Sequence, residues 1–299
     1  MSSAETAVKV FRTLENEDFR VLQVIEAAMS KHEFVPKELI AKFAKFNLEE
    51  IDFRLKHLHK LRLIRQMQGA YVGYTLNYAG YDCLAINAFV KANVLEAFGK
   101  PLGVGKEADV YDALNPKGEK IAVKFHRLGR ISFRQTMRKR AYTTEHANWL
   151  FQSRLAAEKE FQALTLTFSH KVAVPEPVSQ NRHAIAMGMI EGAELAEWKE
   201  LSEPEKILKR ILRNIRKAYL QAGVIHADLS EYNIILKPNM QILIIDWPQY
   251  VTSKHPNAQQ LLTRDVKNVL QYFKRKFMLK ITLKEDLEYV TGKGKLTAF

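Results

Sequence analysis

The segment VIHADLSEYNIILKPNMQILIIDWPQ holds three polar residues whose types and spacing could do chemistry together. Asp228 follows His226 by two positions and precedes Asn233 by five, and Asp246 closes the block. Apolar runs on both sides of Lys237–Met240 predict a hairpin in which Asn233–Leu236 turns and returns as Gln241–Ile245. Such a hairpin brings Asp246 back beside Asn233. An amide oxygen and a carboxylate then face a common point, as hard oxygen ligands for Mg²⁺ should. Asp228 stands across from them as a base or orienting group for an attacking oxygen. Capping of a loop would produce these three spacings only by chance.

A second constellation lies upstream, in GKPLGVGKEADVYDALNPKGEKIAVKFHR, which reads as strand, glycine turn, strand, Pro-Lys-Gly turn, strand. Gly103 and Gly105 let the backbone bend and approach a phosphate with no Cβ in the way. The run is not a Walker A loop, because Glu107 follows Gly105-Lys106, and position 108 is alanine rather than the third glycine of G-x-G-x-x-G. A plain hairpin turn would look the same. The next strand adds to it: in Ile121-Ala122-Val123-Lys124-Phe125, Lys124 shares a face with Ala122. A lysine inside an apolar strand needs a counter-ion, and a phosphate beyond the glycine turn could supply it, whereas an edge-strand lysine would reach water. Protein kinases place a phosphate-binding lysine on such a strand. The helix SRLAAEKEFQALTLTF turns Leu155, Phe161 and Leu164 inward and offers Glu158 and Glu160 as carboxylates to hold that lysine, Glu160 being favoured.

These motifs sit in a chain of 299 residues with 47% hydrophobic and 26% charged residues, enough for two domains with buried cores. No apolar run approaches a membrane span, and the start, MSSAETAVKVFRTLENED, has no basic region leading into an apolar one. Cys83 is the single cysteine, which excludes an intrachain disulfide framework and a cysteine metal cluster and fits a reducing, cytoplasmic setting. None of the nine histidines has zinc-like spacing. The 46 Lys and Arg against 33 Asp and Glu leave +13, which favours a polyanionic partner.

The first eighty or so residues read as helices followed by a hairpin. VPKELIAKFAKF has helical apolar recurrence, and Asn47 caps the segment LEEIDFRLKHLHKLRLI, with Ile51, Leu55, Leu58 and Leu61 inward and Arg54, Lys56, His57 and Lys60 more outward. Strands around Ile64–Gln68 and Tyr71–Leu76, turning at Gly69-Ala70, complete the order of a winged helix-turn-helix. Tyr81–Asn93 follows as a closing helix and linker.

Taken together, GVGKEAD, KFHRLGRISFR, HADLSEYN and IDWPQ resemble the RIO family of atypical protein kinases on its archaeal-type Rio2 branch, and the preceding winged helix separates that branch from its relatives. The resemblance spans essentially the whole chain. It implies an α+β fold, a winged helix-turn-helix followed by a bilobal kinase-like domain lacking the activation loop and peptide-docking subdomains. The expected divisions are 1–84 for the winged helix, 85–93 for a linker helix, 94–190 for the N-lobe and 191–299 for the C-lobe. The implied activity is that of an ATP- and Mg²⁺-dependent serine/threonine kinase or ATPase in cytoplasmic maturation of the small ribosomal subunit, with the precursor particle and its rRNA as partners. By position, the resemblance makes Asp228 the catalytic aspartate, with Lys124 and Asp246 as further catalytic residues: Lys124 contacts ATP phosphates and pairs with Glu160, Asn233 and Asp246 hold the metal, and transfer goes to a serine hydroxyl or transiently to Asp246 itself. It lines the nucleotide with Gly103, Val104, Gly105, Lys106, Glu107, Ala108, Val110 and Ala122. Met187 resembles the gatekeeper, and the backbone of Gly188, Met189 and Ile190 should meet the adenine. Three departures are visible: Ala108 for a serine whose hydroxyl would reach phosphate, Trp247 for phenylalanine, and Gly188 for a residue that is often acidic.

Only about a dozen residues separate Asp246 from the helical pattern near Ala258, too few for an ordinary activation loop and peptide platform. RLGRISFRQTMRKRAYTTEHAN, with Ser132, Thr136, Thr143 and Thr144, reads as a mobile arginine-rich loop open to phosphorylation in cis or to RNA. Along EKILKRILRNIRKAYL, Lys206, Lys209, Arg210, Arg213, Arg216 and Lys217 form a basic helical face, either solvated or set against rRNA phosphates. Two rival readings remain. A small-molecule phosphotransferase of the aminoglycoside or choline kinase kind would want an acidic pocket, against the +13 charge. An ATP-sensing DNA-binding regulator would bind duplex DNA even after Asp228→Ala.

Overall fold

Helix α1 (Ser3–Phe11) starts where the Ser2 hydroxyl accepts the Glu5 N–H, and α2 (Asn16–Ala28) starts from a capping box between Glu15 and Asp18. A two-residue strand β1 (Val35–Pro36) leads into α3 (Lys37–Ala44), and α4 (Leu48–Lys60) begins at the expected cap, Asn47 accepting the Glu50 N–H at 2.8 Å. Strands β2 (Ile64–Gln68) and β3 (Val72–Leu76) pair antiparallel, with β1 on the other side of β3. This is the helix, helix, wing order expected from the sequence. The computed structural model describes residues 2–128 and 142–295, and for 142–148 the backbone alone.

Ile51, Leu55 and Leu58 are fully buried on α4, as their spacing requires. Arg54 departs from the outward position read for it. It is buried and ion-paired to Glu15 and Glu50 at 2.7 Å and to Asp18 at 3.5 Å. The charge is tolerated there because α2 and α4 surround the guanidinium with carboxylates, which helical periodicity alone does not reveal.

Helix α5 (Tyr78–Lys91) begins three residues before the expected start, at an Asn77 cap that accepts the Gly80 N–H. A Cβ on Gly80 would lie 2.3 Å from the Leu63 carbonyl oxygen, so only glycine lets α5 approach the start of β2 this closely. From Ala79 to Asn87 every residue is buried, which makes α5 a core helix rather than a linker. One hydrophobic cluster runs from Ala4, Leu22 and Ile51 through Ile86 and Phe89 to Tyr111, Val123 and Phe125 on the following sheet.

That sheet contains β4 (Ala97–Val104), β5 (Ala108–Leu114), β6 (Lys120–His126), β7 (Pro177–Asn181) and β8 (Ala184–Gly188), in the order β4-β5-β6-β8-β7. Helix α6 (Tyr142–Ser169) precedes β7. Its inward face holds Ser153, Ala157, Glu160, Ala163, Leu164 and Thr167. Leu155, expected inward, is 36% exposed. Leu164 takes the buried apolar position on this stripe among Ser153, Ala157, Glu160, Ala163 and Thr167, and Leu155 falls outside it.

The chain forms two compact units, Met1–Ala157 with Ser179–Ala186, and Glu158–Val178 with Met187–Phe299. The second contains β9 (Ala193–Glu194), α7 (Pro204–Leu220), β10 (Val224–Ile225), β11 (Ile234–Leu236), β12 (Ile242–Ile244), β13 (Val251–Thr252), α8 (Ala258–Phe277) and α9 (Leu283–Val290). Strands β12, β11 and β9 form one small sheet, and β10 pairs with β13. Among the described residues no helix is long and apolar enough to cross a membrane.

Candidate active site

In the second unit, the turn between β10 and β11 carries the acidic block. His226 is buried, its Nε2 lies 2.9 Å from the Ile245 carbonyl, and its ring packs 4.6 Å from that of Trp247. Burial pushes its pKa down, so the imidazole is neutral and Nε2–H donates to Ile245. Ala227 and Asp246 both adopt left-handed backbone, with φ of 65° and 67°. Non-glycine residues rarely do so, and strained positions of this kind gather at functional sites. Asp228 itself is exposed.

Asp265 on α8 holds the turn in shape. It is 1% exposed, and its carboxylate accepts the Ala227 N–H at 2.7 Å and the Leu229 N–H at 3.1 Å, one on each side of Asp228. Arg264 donates to the Ala227 carbonyl and the Asn268 amide to the Leu229 carbonyl. Burial pushes the Asp265 pKa up to about 6 despite these bonds. Sequence reasoning missed this residue, although a signal existed: Asp265 follows Leu262 by three and precedes Val269 by four, a carboxylate on the apolar stripe of α8.

The expected hairpin is present. Ile234 pairs with Ile244, and the Ile245 N–H donates to the Asn233 carbonyl at 3.0 Å, which places Asp246 next to Asn233. The Asn233 amide nitrogen donates to the Asp228 carbonyl at 2.8 Å. With its donor half occupied, the side chain has its oxygen left to offer a cation. Among the described residues no three His, Cys, Asp or Glu side chains gather as a metal site, so a cation here would rest on one carboxylate, one amide oxygen and the ligands it brings. That donor set fits Mg²⁺, which keeps waters and phosphate oxygens in its shell. Glu160, 2% exposed, accepts the Trp247 N–H at 3.4 Å, tying α6 to the residue after Asp246.

In the first unit, β4 and β5 are joined by the glycine turn. The Gly105 N–H donates to Ala108 at 2.8 Å, and a Cβ at Gly103 would touch nothing within 4 Å. Gly103, Val104, Gly105, Lys106 and Glu107 are exposed, and Ala108 and Val110 half-buried. Val110 lies opposite Lys124 in the β5–β6 register and Asp112 opposite Ala122, so Val110, Ala122 and Lys124 share one face of the sheet. Lys124 is only 7% exposed, and β6 runs between β5 and β8. An edge-strand lysine reaching water is therefore not what the structure contains.

Met187 is buried at the end of β8, where the chain leaves the sheet. The Gly188 N–H already donates to the Glu176 carbonyl at 2.8 Å, so any new contact at Gly188 falls to its own carbonyl, with the backbone of Met189 and Ile190 following. Ser132 and Thr136 lie outside the described residues, as do the side chains of Thr143 and Thr144. The basic face of α7 is largely consumed within its own unit. Arg210 donates to the Met240 carbonyl, Arg216 to that of Tyr289 and Lys217 to that of Lys171, leaving Lys206 and Arg213 exposed. These cations terminate loops.

Comparison with known proteins gives the family and the fold. Residues 109–286 match the family described as the RIO domain, and residues 11–92 match the family described as Rio2, N-terminal. The RIO-type serine/threonine-protein kinase Rio2 of Methanocaldococcus jannaschii is 43% identical over 274 residues, covering 88% of this chain and all of that one. The serine/threonine-protein kinase rio2 of Schizosaccharomyces pombe is 37% identical over 276 residues, covering 91% of this chain and 80% of that one. A crystal structure of the Rio2 kinase of Chaetomium thermophilum, as an ADP/Mg²⁺-phosphoaspartate complex, superposes with a TM-score of 0.83 at 32% identity, covering 96% of this chain and 89% of that one.

Proposed function

We propose, from the premise that this chain belongs to the Rio2 branch of the RIO serine/threonine-protein kinase family, that it is an ATP- and Mg²⁺-dependent kinase and ATPase acting on the precursor of the small ribosomal subunit. The observation that carries the reading is the acidic turn, in which Asp228 is held between two backbone bonds to Asp265 while Asn233 and Asp246 lie together on the adjoining hairpin. Mg²⁺ would supply charge neutralisation of phosphate oxygens there, with Asn233 and Asp246 as its protein ligands. Lys124 and the backbone of the glycine turn orient the phosphates, and Gly188–Ile190 present backbone groups to the adenine.

Two acceptors suit the site. With a serine hydroxyl, the bond from the γ-phosphorus to the ADP oxygen breaks, a bond to the serine oxygen forms, and Asp228 takes the hydroxyl proton. With Asp246, the new bond forms to its carboxylate, and water later hydrolyses the acyl phosphate with Asp228 as base. The second route is favoured by the state of the solved Chaetomium relative and by the short path from Asp246 to α8, which holds only β13 and turns and offers little platform for a free peptide.

Partner binding falls to the winged module, where Lys42, Lys45, Lys56, Lys60 and Arg62 are exposed. Incubation with γ-labelled ATP and Mg²⁺, followed by an acid quench and treatment with neutral hydroxylamine, tests the chemistry. Label released by hydroxylamine identifies the acyl phosphate, label that resists it and is recovered as phosphoserine after acid hydrolysis identifies the serine route, and no label with no ADP formed refutes the enzyme. Co-sedimentation with small-subunit precursors, with and without ATP, tests the partner.

A further inference from the structure

The glycine turn is exposed along Gly103–Glu107 and closed internally by the Gly105–Ala108 bond, so whatever holds it open for a phosphate must come from its flanks. Its return side is anchored by Arg127. The Arg127 backbone N–H donates to the Glu107 carbonyl at 2.6 Å, and its side-chain Nε donates to Asp109 at 3.3 Å. The same guanidinium reaches away from the turn to Asp82 on α5 at 2.9 Å and lies over the rings of Tyr78 and Phe125, each at 5.2 Å. The other oxygen of Asp82 meets His183 Nε2 at 2.6 Å, and the His183 carbonyl takes the N–H of His126 at 2.9 Å. Asp82, Asp109, Arg127 and His183 are all buried to within 1%.

A planar guanidinium with fixed donor directions spans two carboxylates at set angles, which a lysine or an apolar contact would not do. Lys124 lies on β6, which ends at His126, and Arg127 is the next residue after that strand. One buried fork therefore joins the helix that follows the winged module to the turn and the strand meant for phosphate. Holding such a turn in its bound shape beforehand lowers the cost of ordering it when ligand arrives.

We infer that Asp82 and Arg127 are positioning residues for nucleotide, through which α5 holds the glycine turn in its phosphate-binding shape. The inference rests on the ATP-binding reading above and adds to it that nucleotide affinity is set from a helix outside the kinase-like sheet.

The test uses the full chain with Asp82→Asn, Arg127→Lys, and Glu26→Gln as control. Glu26 pairs with Arg182 at 2.6 Å, an ion pair in the same unit with no bond to the turn. Calorimetric titration with ATP–Mg²⁺ should show at least tenfold weaker binding in Asp82→Asn and Arg127→Lys. Their single-turnover rates at saturating nucleotide should stay within about threefold of wild type. Glu26→Gln should bind as wild type does, even with a lowered Tm. Amide exchange at Gly103–Glu107, measured without nucleotide, should be faster in Asp82→Asn and unchanged in Glu26→Gln. The inference is overturned by wild-type affinity in a folded Asp82→Asn or Arg127→Lys protein, or by equal weakening in the control. Should Asp82→Asn not fold, Arg127→Lys decides by the same readings. Failure of wild type to bind ATP–Mg²⁺ refutes the active-site reading instead, and the exchange rates then judge the anchoring alone, unchanged rates overturning it.

Discussion

Asp265 gives both carboxylate oxygens to N–H groups on either side of Asp228, so its removal should disturb the catalytic loop with nucleotide binding left largely alone. Asp265→Asn keeps one acceptor and places an NH₂ group against a backbone N–H. A buried donor left unsatisfied costs roughly 1–3 kcal/mol, so kcat should fall about 10- to 100-fold with KM for ATP little changed, measured by steady-state ADP release. Asp228→Asn should lower turnover about 10²- to 10⁴-fold while calorimetry still detects ATP–Mg²⁺. The raised Asp265 pKa also has a stability consequence. The native state holds this proton up to about pH 6 and the unfolded chain releases it near the ordinary aspartate value of 3.8. Between those values the folded protein binds more protons, so stability falls as pH rises through that window, by at most about 3 kcal/mol, and is level above it. Asp286, likewise pushed up to about 6 by burial, adds to the same slope. Denaturant unfolding from pH 4 to 8 should show the slope reduced in Asp265→Asn.

At the scale of elements, two seams depend on backbone that few residues accept. Ala227 sits at φ 65° between His226 and Asp228. Ala227→Val should lower stability by about 1–2 kcal/mol, since a branched side chain crowds the left-handed region, whereas Ala227→Gly should not lower Tm. Gly80→Ala would press a Cβ against the Leu63 carbonyl, destabilising the α5–β2 seam by about 1–3 kcal/mol, read as a lower denaturation midpoint. Much of this level was legible beforehand. The Asn47 cap, the wing and the Asn233–Asp246 hairpin follow from local pattern. Helix α5 was not, because an all-round buried helix has no polar face to mark its boundary with a linker.

For the molecule as a whole, the excess of +13 is unevenly available. On α7, Arg210, Arg216 and Lys217, which looked suited to RNA, bind loop carbonyls instead, while Lys42 on α3 and Lys56 and Lys60 on α4 are exposed to water. The proposed contact with small-subunit rRNA predicts binding to rRNA fragments that weakens steeply as salt rises, because each phosphate contact releases counterions. Lys56→Glu with Lys60→Glu should make that salt slope shallower, by about one for each lost contact on a log–log plot. Arg213→Glu, on the mostly committed face of α7, should change it less. Filter binding across a salt series measures both.

Order and type of the chemical residues were written in the chain itself, since the spacing from His226 to Asn233 and the apolar runs around Lys237–Met240 act over a single hairpin. Packing decided the rest. Arg54 is buried because Glu15 and Asp18 come to it from another helix, 39 and 36 residues away. Asp265 reaches Ala227 across 38 residues, and Arg127 reaches Asp82 across 45. Local periodicity reports which face of an element is apolar, but a charge inside the core is stable only through partners that the folded chain brings together, and those partners are specified by tertiary contact.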